Sequence, residues 1–310
     1  MKRVLGTALI LSTALLTLFF STPASARRQE SEKTIYFTAM KDNKPMKDLK
    51  AADVAAAEDK TKFYPASSLK LATTPISIVM LADTSAVAGG AGLDRRSTSA
   101  TAAGDMMHDI KQAFQEFARY MIKANPQNEL ALMEFGQASI MVQDFTSKPE
   151  ELEKSVTRLV SKPDADSVLL EAIMESSKEL GKRKNARRAI VSINVMPDSE
   201  RSREPANNIM KELAKDQAWI FSVSLQKGDS RNSTRGTVLQ GFADLTGGHH
   251  DDIVGQSALV DQLKAYADIL NAQYEMKYMR PAGAPPQSVQ MASNPALGQI
   301  KFYSTKFPPQ

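Results

Sequence analysis

Apolar residues fall along this chain in two periods. Short runs at Ile76 to Leu81, Leu130 to Phe135, Arg188 to Val195 and Ala218 to Leu225 predict strands buried on both faces, as in a parallel sheet, and Ser139 to Val142 predicts a further strand. Between them apolar positions recur every three or four residues. Met107, Ile110, Phe114, Phe117 and Met121 predict a helix stopped by Asn125-Pro126. Leu152, Val156 and Leu159 predict a second, opened by a capping box at Ser147-Lys148-Pro149-Glu150. Leu169, Ile173 and Leu180 predict a third, capped by Ser167, and Ile209 and Leu213 mark a fourth. Val238, Phe242 and Leu245 form one face of a fifth that ends at Gly247-Gly248, and Leu259, Leu263, Tyr266 and Leu270 define the last. Strands alternating with helices give an α/β fold class, a mainly parallel sheet with helices on both faces.

The two flanks read differently. Ile35 to Phe37 lead into Asp42-Asn43-Lys44-Pro45, Leu49 precedes Asp53, and Glu58-Asp59-Lys60 makes another turn, so short strands around turns are expected. At the other end Tyr274, Met276 and Tyr278 alternate with Glu275 and Lys277, Pro281 to Pro286 is a linker, and Ile300 and Phe302 alternate with Lys301 and Tyr303. Each flank alone exposes a sheet edge and holds too little apolar area to fold. The two are therefore expected to pack together as a small discontinuous β region. The expected boundaries are a signal segment at 1–26, an N-terminal β region at 27–70, the α/β domain at 71–272, and C-terminal β strands at 273–310.

Composition narrows the setting. The apolar share of 42% and charged share of 24% in 310 residues are those of an ordinary globular chain. Lys2 and Arg3 precede an uncharged run from Val4 to Phe20, and Ala24-Ser25-Ala26 supplies a cleavage pattern, so a secretory signal removed near Ala26 is predicted. The run is near the lower length limit for spanning a bilayer, so no membrane span is expected after cleavage. Removing it lowers the net charge of +4 to about +2, a balance that requires no nucleic acid. With no cysteine there is neither a disulfide nor a lipid-attachment thiol, and a periplasmic or secreted location is expected.

The first buried run ends in Asp83-Thr84-Ser85, which delivers a carboxylate and a hydroxyl to the ligand face of an open α/β sheet. This strand, with Asp42 to Pro45, Leu49, Asp53, Glu58-Asp59-Lys60, Ala243 to Gly248 and Gln273-Tyr274 through Tyr278 and Pro281, occurs in an order that resembles the secreted bacterial VWFA-related family. In that family a short β region precedes a Rossmann-like von Willebrand factor type A (VWA) domain and a strand hairpin follows it. The resemblance implies a ligand face of three loops, which in metal-binding relatives hold Mg²⁺ in an all-oxygen cage. Here Asp83 and Ser85 match the first loop, but Val87 replaces its second serine. Ser167 stands at the second loop's threonine, and Val195 at the third loop's aspartate. Two oxygen donors have become hydrocarbon, so the resemblance implies a degenerate site with no cofactor, or weak Mg²⁺ binding at most; Asp164, Asp166 and Asp198 are the nearby substitutes. Read from the residues alone, Asp83, Ser85 and Ser167 are expected as caps and backbone binders at strand and helix ends ahead of metal ligands.

Other features are weighed beside these. The Gly- and Ala-rich segment from Ala86 to Gly104 is long for a connection, and Arg95 and Arg96 within it are the expected partner contacts. His249-His250-Asp251-Asp252 reads as a solvated loop, since adjacent side chains diverge. Lys182, Arg183, Lys184, Arg187 and Arg188 form a basic patch that reads as a helix end or an anionic-partner surface. No nucleophile elbow, P-loop or His-Glu-x-x-His is present. The expected function is therefore an exported, non-enzymatic protein-binding or adhesion-like module. A structural or assembly subunit of an envelope complex, and an enzyme with an unrecognised site, are the alternatives.

Overall fold

The computed structural model describes residues 30–86, 88, 100–162, 164–196, 200–225 and 234–309. The signal segment, Val87, Arg95, Arg96 and Asp198 lie outside the described residues. In chain order the elements are β1 (Glu30–Lys41), β2 (Lys44–Pro45), β3 (Val54–Glu58), β4 (Lys62–Leu71), β5 (Ile76–Asp83), α1 (Ala100–Ala124), β6 (Glu129–Phe135), β7 (Ser139–Thr146), α2 (Pro149–Thr157) and α3 (Leu169–Gly181). They continue with β8 (Arg187–Val195), α4 (Ala206–Asp216), β9 (Trp219–Leu225), α5 (Thr234–Thr246), β10 (His249–Ile253), α6 (Leu259–Asn271), β11 (Tyr274–Pro281), β12 (Val289–Ser293) and β13 (Lys301–Ser304).

The α/β half is a six-stranded sheet ordered β10-β9-β8-β5-β6-β7, parallel except for β7, which runs antiparallel to β6. Every residue of β5 is buried. Its alternate side chains serve the two faces. Ile78 and Met80 pack with Phe114 and Phe117 of α1, Val156 of α2 and Tyr266 of α6, while Val79 and Leu81 pack with Ile173 of α3, Leu213 of α4 and Phe242 of α5. Each such large side chain contributes roughly 1.5–3 kcal/mol on burial. The sheet thus carries helices on both faces.

The second sheet has the order β12-β3-β4-β11-β1-β13, with β2 folded back on β1. The first strand lies between two late ones: Phe37 is in register with Tyr274 of β11 and with Ser304 of β13. The tight turns at Asp42-Asn43 and Asp59-Lys60 place all four residues at positive φ, between 50° and 61°, the twist that tight hairpin turns need. Phe37 stacks on Tyr274 at 5.4 Å in a small core with Met276, Tyr278, Val54 and Val289. Buried Glu58 accepts from the Tyr278 hydroxyl at 2.8 Å and lies 3.1 Å from Arg280.

The chain crosses between the sheets twice, and one side chain ties the crossings together. Ala72 N–H donates to the Gln273 carbonyl at 2.8 Å. Arg187 donates to Gln273 Oε1 at 2.7 Å, to the Thr74 carbonyl at 2.6 Å and to the Leu270 carbonyl. Burial lowers the Arg187 pKa to about 10. Against β13 and the start of β9, Gly247 and Gly248 allow contact that no other residue would. Gly247 sits at φ +88°, and a Cβ there would lie 2.3 Å from the Ser304 carbonyl carbon; at Gly248 it would lie 1.7 Å from the Ile220 carbonyl oxygen.

Several local expectations are corrected. The cap of α2 is Lys148, with no capping box at Ser147; Thr146 Oγ1 instead accepts from Lys148 N at 3.2 Å and donates to Glu151 at 2.6 Å. His249 to Asp252 belong to β10, because their backbone pairs in parallel with β9, and His250 is buried. The inward face of α5 is Arg235, Leu239, Phe242, Ala243 and Thr246, one position off the Val238 and Leu245 stripe. The basic patch is largely consumed inside the fold. Arg183 pairs with Glu129 and Arg187 and Arg188 donate to carbonyls, which leaves Lys182, paired with Glu179, and Lys184 exposed.

Candidate functional site

The C-terminal ends of β5, β6, β8 and β9 lie at one edge of the central sheet, where a carboxylate at the end of a buried strand must find partners or be neutralised. Asp83 finds them in backbone amides. Its Oδ1 accepts from Ser85 N and its Oδ2 from Val195 N, both at 2.9 Å. Burial pushes the carboxyl above the usual carboxylate range; the nearby Arg235 guanidinium is the largest influence pulling the other way, and the two amides add to it.

The described ends of three loops meet beside this carboxylate. The first and second are joined by Ala86 N donating to the Ala165 carbonyl and Lys162 N donating to the Thr84 carbonyl, each at 2.9 Å. The second and third are joined where Ser167 bridges to Glu200 and its carbonyl accepts Arg201 N at 2.7 Å. Thr84 is held to the end of β6, where its amide donates to the Phe135 carbonyl at 2.8 Å.

The serine hydroxyls do not cap. Helix α3 has Val168 at its N-cap with no side-chain cap bond, and Ser167 Oγ is buried with no hydrogen-bond partner among the described residues. The cap comes from another segment: Ser202 Oγ accepts Glu171 N at 3.1 Å, and Glu171 Oε1 accepts Arg203 N at 2.8 Å. This is the reciprocal logic of a capping box assembled between two parts of the chain. Ser85 Oγ is likewise buried outside hydrogen-bond geometry with the described residues.

Sequence reading missed Arg235 and Glu200. Arg235 is 5% exposed, its guanidinium lies 5.8 Å over the Phe135 ring, and its Nε is 3.4 Å from Glu200 Oε2. A signal for it exists: Arg235 precedes Leu239, Phe242 and Thr246 by four, seven and eleven positions, so it belongs to the inward face of α5. Glu200 carries no such signal.

The described donors do not match an octahedral Mg²⁺ cage. They offer one carboxylate with both oxygens engaged by amides, two neutral hydroxyls, the buried hydrocarbon of Val195, and a buried guanidinium. Of the substitutes, Asp164 is exposed on a turn and Asp166 pairs with Arg201 at 3.0 Å. Among the described residues no group of three or more His, Asp or Glu side chains is placed to hold a metal ion, and no helix is long and apolar enough to cross a membrane. In β10, His249 lies 3.2 Å from Asp251, whose other oxygen is 2.8 Å from the Tyr266 hydroxyl.

No family model matches this chain, and no curated protein matches it by sequence. Solved structures do. A von Willebrand factor type A protein from Catenulispora acidiphila is 10% identical with a TM-score of 0.51, over 90% of this chain and 74% of that one. The D319A mutant of the PilB minor pilin from Streptococcus sanguinis is 10% identical with a TM-score of 0.50, over 65% of this chain and 62% of that one. Proximal thread matrix protein 1 from the mussel byssus is 12% identical with a TM-score of 0.50, over 66% of this chain and 49% of that one. The chain has the Rossmann-like fold of VWA domains.

Proposed function

We propose that this protein is an exported, non-enzymatic protein-interaction module of the VWA type, whose ligand face binds a protein partner without a divalent ion. The observation that carries the reading is the carboxylate of Asp83: three loops converge on it, as on the ligand face of the fold, yet both its oxygens accept internal amides and a guanidinium supplies the nearby positive charge. Two structural neighbours, a minor pilin and a thread matrix protein, bear the names of assembled proteins, which favours interaction over catalysis. The charge pattern of residues 1–26 supports export to the periplasm or the medium, with the mature chain organised as a VWA-like domain at 71–272 and a β region from 27–70 and 273–310. For the alternative of an assembly subunit that uses its β region and basic patch, the basic-patch part loses support, since Arg183, Arg187 and Arg188 place their donors on internal acceptors.

Affinity capture from envelope extracts tests the reading. The same partner should be retained in EDTA and in Mg²⁺, and an Arg95→Glu, Arg96→Glu variant should lose it. Submillimolar Mg²⁺ binding by calorimetry that disappears in Asp83→Ala overturns the metal-free part.

A further inference from the structure

Asp83 and Glu200 bring two carboxylates to the closed edge of the central sheet, and Arg235 reaches both surroundings from the first turn of α5. Its guanidinium stands over Phe135, the residue in register with Asp83 across the β5 and β6 pair, and 3.4 Å from Glu200, which is bridged to Ser167. The guanidinium is buried, so its attraction to both acids is weakly screened. Val195, at the end of β8, contributes buried hydrocarbon where the resemblance implies a third-loop carboxylate.

We infer that Arg235 is the resident cation of this face: a guanidinium tethered to α5 neutralises Asp83 and Glu200 and ties the end of β5 to the Ser167–Glu200 bridge, in the place where a diffusible divalent ion would otherwise be needed. The inference rests on the reading of the face as one that works without a metal. A tethered cation differs from a bound ion in consequence. It is present at every metal concentration, it cannot be chelated, and its planar donors repel rather than share a second cation. The contacts among the described loop ends are then independent of Mg²⁺.

The test is thermal unfolding of the full chain and its variants in EDTA and in millimolar Mg²⁺ or Mn²⁺. Wild type should melt at the same temperature in all three buffers. Arg235→Met should melt lower by on the order of 10 °C, because it leaves buried Asp83 and half-buried Glu200 without their counter-ion, and divalent cations should restore part of that loss. Arg235→Lys should keep most of the wild-type stability. If Arg235→Met fails to fold, the double variant Arg235→Met, Glu200→Gln should recover folding, since it removes a stranded charge along with its counter-ion. Wild-type stabilisation by Mg²⁺ that vanishes in Asp83→Ala would defeat the metal-free reading and this inference together. An Arg235→Met variant as stable as wild type, or a double variant that recovers nothing, would defeat only the role assigned to Arg235.

Discussion

The amide of Val195 donates to Asp83 Oδ2 across 2.9 Å, joining the ends of two adjacent parallel strands that are 112 residues apart in the chain. The other oxygen holds Ser85 N, so one carboxylate fixes two loop starts. Asp83→Ala strands both amides in a dry setting, at roughly 1–3 kcal/mol each. Urea denaturation should show a loss of about 2–5 kcal/mol for Asp83→Ala and a smaller one for Asp83→Asn, which keeps an acceptor.

Ser202 and Ser167 should behave oppositely. Ser202→Ala removes the cap on Glu171 N and should cost about 1 kcal/mol. Ser167→Ala removes a buried hydroxyl that has no hydrogen-bond partner among the described residues and should be neutral or stabilising. Paired denaturation curves decide it, and a large loss from Ser167→Ala would return the capping role to that residue.

Arg187 holds both crossings between the sheets. Arg187→Gln leaves the carbonyls of Thr74 and Leu270 without their donor and should cost about 3 kcal/mol. Limited proteolysis read by mass spectrometry should find new cleavage at residues 72–75.

Gly248→Ala would press a methyl group into the Ile220 carbonyl, whereas Gly283 has open space around it. Calorimetric melting should show a loss above about 3 kcal/mol for the first and none for Gly283→Ala.

Burial holds the His250 imidazole below its ordinary value of 6.5, with Asp252 and Asp251 pulling only partly back. The unfolded chain therefore takes up this proton at a higher pH than the folded one. Stability contributed here is present above pH 6.5 and declines as pH falls through that value toward the folded one, with a slope of at most about 1.4 kcal/mol per pH unit. Glu129 and Asp251 are held below their ordinary 4.5 and 3.8, so their contribution is lost only in a separate, more acidic limb. Stability measured from pH 8 to 5 should slope downward in wild type and flatten in His250→Gln.

The strands buried on both faces were legible because hydrocarbon on both sides leaves no ambiguity: β5, β8 and β9 appear as the runs that end at Asp83, Val195 and Leu225. What was hidden is what tertiary contact decides. β10 is written in His and Asp, the composition of a loop, and becomes a strand only because β9 offers its edge. β12 mixes Val289 and Met291 with Gln290 and Ser293, and its identity comes from pairing with β3. At the ligand face Asp83 was visible from its strand. Arg235 was not, since a lone arginine ahead of an apolar stripe reads as solvated until the helix is extended back by one turn.

The place of β1 between β11 and β13 sets an order on synthesis. β1 has no lateral partner beyond its own hairpin until residues past Gln273 have been made. Its Phe37 and Ile35 stay unburied while the whole Rossmann-like insert is translated, which makes closure of this sheet the late, slow and aggregation-exposed step of assembly. A chaperone that shields the nascent N-terminus should raise the folded yield more than one acting on the completed insert.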